Sequence, residues 1–148
     1  MPSRLILLCI ALLMSACASA GGQWVELAGE RYTVEVAADD ASRARGLMFR
    51  DAMPRDHGMF FIHDEESPQA YWMKNTRIPL DILYFDDGLR LVSQHRDVPP
   101  CTAGDRCPPY PSRAPARYVL ELNAGEAARL ELRDGAVLEV GPGIAIPR

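Results

Sequence analysis

The ten residues from Trp72 to Asp81 carry the densest set of chemically capable side chains in the sequence: an indole, a thioether, an ammonium, an amide, a hydroxyl, a guanidinium and a carboxylate. On a strand from Ala70, alternation places Trp72 and Lys74 on one face and Tyr71, Met73 and Asn75 on the other. An aromatic platform beside a cation suits a ligand with a flat or sugar-like body and a negative charge. Arg45 would add a second cation, and Asn75, Thr76 and Asp81 would supply oriented hydrogen bonds. The expected site therefore binds a polar or anionic small molecule, or a cell-wall saccharide, without altering it. Lys74 and Asp81 also have a purely structural reading, one as a salt-bridge partner and the other as an acceptor pinning the corner from Lys74 to Pro79, because buried polar groups are usually satisfied.

Other chemistries can be set beside this one. Asp81 paired with Asp56 or Asp64 could supply the acid and base of a hydrolytic enzyme acting on a glycosidic bond, although sequence does not set their separation. Serine and histidine form no nucleophile arrangement. Met48, Met59 and Met73, with His57 and His63 near them in sequence, are soft thioether and imidazole donors of the kind that hold Cu(I) in the periplasm. Methionine in apolar runs more often fills gaps in a core, so no metal and no cofactor are expected.

These residues must be positioned by a small, mainly β domain. Trp24 to Ala28 and Arg31 to Val36 flank a turn at Gly29, and Tyr32, Val34 and Val36 share one face, as in a half-buried hairpin. Asp39 or Asp40 can cap a short helix through Arg45 that Gly46 ends. Gly58 to Ile62 and Leu80 to Phe85 are apolar on both faces, the pattern of central strands covered on each side. Asp64-Glu65-Glu66-Ser67-Pro68 reads as a solvated turn, and Asp86-Asp87-Gly88 as a hairpin turn into Leu89 to His95. Arg117 to Leu122 alternates with Tyr118, Leu120 and Leu122 inward. Asn123 and Glu126 resemble a capping box for a second short helix, and Ala136 to Val140 makes the last strand. The architecture expected is a small antiparallel sandwich or partly closed barrel, α+β at the margin, with two short helices.

Between Val98 and Pro115 the prolines are expected to prevent regular pairing. Cys101 and Cys107 lie within this loop. Five intervening residues match neither the redox nor the structural-zinc spacing, so a short disulfide is expected. Tyr110 among Pro108, Pro109 and Pro111 would fit contact with an envelope protein partner, in which case the domain is a non-catalytic scaffold.

The first residues indicate the destination. Arg4 precedes an apolar run from Leu5 to Met14, too short to span a bilayer, which would take about 20 residues, so residues 1–16 read as an export signal. Met14-Ser15-Ala16-Cys17 resembles a lipoprotein cleavage box, which makes Cys17 the lipidated amino terminus. The alternative is a soluble periplasmic product cut after Ala20. With Ala18 rather than Asp after the cysteine, the expected address is the periplasmic side of the outer membrane. Residues 17–22 form a tether and 23–148 a single domain. The formal net charge is −4, becoming −5 once Arg4 is removed, which does not favour nucleic acid as a partner.

Three segments together, Arg45-Gly46-Leu47-Met48-Phe49-Arg50, Gly58-Met59-Phe60-Phe61, and Trp72-Met73-Lys74-Asn75-Thr76 with Ile78-Pro79-Leu80-Asp81-Ile82, resemble the bacterial and archaeal family known as domain of unknown function 192. The resemblance runs from about Tyr32 to Val140 and implies a small β-rich fold, often in exported proteins. It implies no particular activity. The loop from Cys101 to Cys107 departs from the plainer members.

Overall fold

The computed structural model describes residues 22–147; the export segment and Cys17 lie outside the described residues. Nine strands and two short α-helices follow one another as β1 (Trp24–Leu27), β2 (Glu30–Ala37), α1 (Asp40–Arg45), β3 (His57–Ser67), β4 (Ala70–Trp72), β5 (Leu80–Phe85), β6 (Leu91–Val98), β7 (Pro109–Pro111), β8 (Ala116–Asn123), α2 (Glu126–Arg129) and β9 (Leu138–Val140). Seven of the strands form one sheet in the order β6-β5-β8-β3-β2-β1-β9, and β4 pairs with β7 in a small second sheet. Within the large sheet only β2 and β3 run parallel. Their connection passes through α1 and the loop after it, since parallel neighbours cannot be joined by a tight turn.

The sheet curls into a half-barrel. Its outer strands are stitched together where Arg90 bridges Val137, with Leu91 N–H donating to the Ala136 carbonyl at 2.8 Å and Leu138 N–H to that of Leu89 at 2.9 Å. Phe60, Ile62, Leu83, Phe85, Leu120 and Leu122 fill the inside of the curl. The alternate residues Phe61, Ile82, Tyr84 and Val119 face outward, but Leu47, Met73, Ile78 and Val98 cover them. The central strands therefore have a core on each face, as their unbroken apolar runs predict.

At the first helix the expectation holds in detail. The Asp39 carboxylate accepts the Ser42 N–H at 2.8 Å, Ser42 completes the capping box, and Gly46 ends the helix. Three other expectations are corrected. β3 continues through the acidic run to Ser67, where it regains β8 after a break in register beyond Ile62, so Asp64 to Glu66 are strand and not turn. The prolines near Tyr110 do not prevent pairing: β7 lies opposite β4, with Pro111 facing Ala70 and Pro109 facing Trp72. The Ser112 N–H bonds the Gln69 carbonyl at 2.8 Å, so the bonded positions are the alternate ones and both proline nitrogens point away from the partner strand. Finally, Asn123 does not cap α2. Gly125 occupies that position without a side-chain bond, and the Asn123 amide instead holds the carbonyls of Met53 and Pro54.

Candidate functional site

A cleft opens on the outer face of the sheet, between the end of α1 and the segment that follows β4. One wall is Arg43, Ala44, Arg45, Gly46, Leu47 and Met48; the other is Tyr71, Trp72, Lys74 and Thr76; Phe61 and Glu121 form the floor. Its open volume is about 290 Å³, including space continuous with solvent. Little of it is enclosed: the part that the centre of a water-sized group can occupy is about 30 Å³, room for a group the size of one water. Beyond Trp72 a neighbouring hollow is lined by His63, Gln69 and Ala70, with Arg43, Ala44, Tyr71 and Trp72 common to both. Trp72 stands between the two hollows and is 42 % exposed.

Of the residues expected from sequence, Arg45, Trp72, Lys74 and Thr76 come together here. Arg45 is exposed at the last turn of α1. The Lys74 ammonium lies 4.8 Å from the centre of the Trp72 ring and pairs with Asp105, which the turn Gly104–Arg106 presents from within the disulfide loop. The bonded Cys101 and Cys107 close that loop, and the Cys101 N–H donates to the Thr76 carbonyl at 3.1 Å. The loop is thus fastened to the lysine segment by main chain as well as by the ion pair. Thr76 is buried, and its hydroxyl turns back to the Lys74 carbonyl at 3.4 Å.

Asn75 stands behind the cleft rather than in its lining. Its amide approaches the Met48 sulfur at 3.9 Å, and its carbonyl accepts the Phe49 N–H at 2.8 Å. Asp81 is elsewhere. It is fully enclosed, one oxygen accepting the Asp97 N–H at 2.8 Å and the other the Ala127 N–H at 2.7 Å. The carboxylate ties the first turn of α2 to a kink in β6, so it belongs to the fold and has no path to a ligand. That also removes the acid–base pair of Asp81 with Asp56 or Asp64, since Asp56 lies on the surface against His57 and Asp64 is exposed on β3.

The soft donors do not gather into one set. Met59 and Met73 are packed in the outer core, Met48 faces the Asn75 amide, and the His57 ring is held by Asp56 at 2.8 Å. His63 bonds the Tyr71 hydroxyl at 2.9 Å, and burial pushes its imidazole below the ordinary range. Tyr110 is half-buried rather than surface-exposed, its ring 5.5 Å from that of His95 and its main-chain carbonyl accepting the Tyr84 hydroxyl.

Glu121 is the residue that sequence reasoning missed. It sits on β8 with Met59 of β3 and Ile82 of β5 as its cross-strand neighbours. β3 comes close at this point because Gly58 has no side chain: a Cβ there would lie 2.7 Å from the Glu121 carbonyl oxygen. Only 4 % of Glu121 is exposed, and burial among apolar neighbours pushes its carboxyl up to about 8. It forms no side-chain hydrogen bond with another described residue. Among the described residues no side-chain polar atom is both sealed off and without a partner, and Glu121 contributes to the floor of the cleft. The cleft thus combines a neutral acid at its floor with cations at its rim.

Comparison with known proteins places this arrangement in a family. A crystal structure from Sinorhizobium meliloti, described as that of a candidate transcription regulator, is 38 % identical; it superposes with a TM-score of 0.74, and the match covers 82 % of this chain and 95 % of that one. A protein of unknown function from Novosphingobium aromaticivorans is 32 % identical with a TM-score of 0.71, over 79 % of this chain and 81 % of the other. No curated protein matches. The family model described as "Uncharacterized ACR" matches residues 23–140, the whole of the half-barrel and its cleft, and the chain belongs to that family, domain of unknown function 192.

Proposed function

We propose that the domain is a non-catalytic binding module of the cell envelope that holds a small anionic polar ligand, with a sugar-like body against Trp72, in the cleft between α1 and Lys74. The observation that supports this most directly is the convergence of Arg45 with Trp72, Lys74 and Thr76, from two separate segments, around one concavity. Such a grouping of an exposed aromatic and two cations favours a negative charge attached to a flat body. Hydrolysis is less well supported, because Glu121 is the only carboxyl among the described residues that line the cleft, and glycosidic cleavage ordinarily takes two. The regulator description of the Sinorhizobium relative is not carried over, given the net charge of −4.

The envelope address rests on the run Leu5 to Met14 and on Cys17, together with a disulfide suited to an oxidising compartment. Lipid on Cys17 would hold the domain at the periplasmic side of the outer membrane. Labelled palmitate should enter the wild-type chain in cells and not a Cys17→Ser variant; equal labelling of both excludes that anchor. For the ligand, the purified protein is titrated with galacturonate, muramate, inorganic phosphate and glucose while its amide resonances are followed. Anions should shift resonances around Trp72 and Lys74 and glucose should not, and Arg45→Ala with Lys74→Ala should weaken the response about tenfold or more. No anion moving any of these resonances, or equal binding by the double variant, would overturn the reading.

A further inference from the structure

Among the described residues, the groups around Glu121 are each engaged elsewhere. From α1, Arg43 spends its guanidinium on the carbonyls of Ala38 and Ile62 and on Asp40, while Arg45 stands at the rim. From β4, the Tyr71 hydroxyl goes to His63 of β3, and from β5 the Tyr84 hydroxyl goes to the Tyr110 carbonyl; burial pushes both phenols upward, so they stay protonated. Lys74 pairs with Asp105, and the Thr76 hydroxyl is turned away to main chain. Met59, Phe61 and Ile82 complete the surroundings without a polar atom. A carboxyl enclosed in this way without a counter-charge keeps its proton, because ionising it would leave a bare charge in an apolar setting. A neutral carboxylic acid has one O–H to donate and lone pairs to spare.

We propose that Glu121, held as a neutral acid, selects the ligand by donating a hydrogen bond to an acceptor oxygen at the cleft floor while the ligand's negative charge lies at the rim between Arg45 and Lys74. This rests on the binding reading above and narrows it to one ligand class: a short molecule with an anionic group at one end and an uncharged acceptor, such as a hydroxyl or carbonyl oxygen, at the other. A sugar acid meets both conditions, whereas inorganic phosphate carries its hydroxyl on the charged group itself and cannot span rim and floor. At the rim the ligand's charge takes the place that Asp105 occupies against Lys74, so Asp105 is an internal competitor. A ligand that donates a strong cation to the floor would instead drive the proton off Glu121.

The test is a set of galacturonate titrations of the purified protein between pH 6 and 9.5, using wild type, Glu121→Gln and Glu121→Ala, with the Glu121 carboxyl carbon followed separately in ligand-free protein. Wild-type affinity should be level below about pH 7 and fall about tenfold per unit once pH exceeds the Glu121 titration near 8. Glutamine offers a neutral donor of the same size, so Glu121→Gln should keep the affinity and flatten the profile. Glu121→Ala should bind about tenfold more weakly at pH 7. Any contribution from Lys74 would persist in Glu121→Gln and is thereby separated. Inorganic phosphate should bind more weakly than galacturonate and respond little to any change at position 121. Galacturonate binding that ignores both pH and residue 121, or Glu121→Gln as weak as Glu121→Ala, overturns this inference and leaves the binding reading in place. Absence of binding by both anions at every pH overturns both, even if the Glu121 carbon still titrates high.

Discussion

Phe49 donates its main-chain N–H to the carbonyl of Asn75 at 2.8 Å, and both residues occupy the left-handed region of backbone space, with φ of 64° and 54°. The two strained turns face one another behind the cleft and hold Met48 and Lys74 on opposite walls. Non-glycine residues adopt this conformation at a cost and keep it only where the surroundings impose it. Asparagine tolerates it better than most. Replacing Asn75 by alanine should therefore lower stability by about 1 kcal/mol, whereas glycine should leave it within about 0.5 kcal/mol of wild type. Urea denaturation decides: alanine more stable than glycine at this position would mean that the surroundings do not enforce the conformation.

Asp81 offers a sharper contrast. Each of its oxygens satisfies one main-chain N–H, those of Asp97 and Ala127, inside a fully enclosed site. Asparagine retains one acceptor and turns an NH2 group toward the other N–H. Asp81→Asn should cost roughly 2 kcal/mol in stability, the usual penalty for leaving a buried donor unmet. Galacturonate affinity should be unchanged where the variant is folded. A drop in affinity without loss of stability would return Asp81 to the site.

Glu121 sets a pH dependence of opposite sign to that of most carboxylates. Its carboxyl is raised from the ordinary 4.5 to about 8 in the folded chain. Between those values the native state binds a proton that the unfolded chain has released, so stability falls as pH rises. The contribution is fully present below about pH 4.5 and is lost through pH 8, beyond which the dependence is flat. Glu121→Gln removes it. The variant should match wild type near pH 4.5 and exceed it by on the order of 4–5 kcal/mol above pH 8. Denaturant midpoints at pH 5 and pH 9 measure the gap, and an equal gap at both would show that the carboxyl titrates normally.

Much of the scaffold was legible because its signals are local. The Asp39 cap and Gly46 stop bound α1, the turn at Gly29 joins β1 to β2, and the apolar run Leu80 to Phe85 announces a strand buried on both sides. The cleft was legible in part, since Trp72, Lys74 and Thr76 lie within five residues of one another and Arg45 sits in a neighbouring motif. Glu121 escaped because alternation along β8 places it opposite Leu120 and Leu122, on the face that a one-sided sheet would give to water. That face is covered here, as the apolar Val119 at the same parity already hinted. Asp81 was misplaced for the converse reason. It lies in the apolar run Leu80 to Phe85, but its partners, Asp97 and Ala127, are 16 and 46 positions away, and no local pattern names them.

The stitching of β6 to the approach of β9 has a bearing on how the protein tolerates crowding. A curled sheet whose two margins hold one another, with the His95 ring bonded to the Pro111 carbonyl and the Arg96 guanidinium to that of Leu132 alongside, leaves little bare ladder for a foreign strand to extend. At high concentration, molecules would then meet through side chains rather than by adding backbone to backbone.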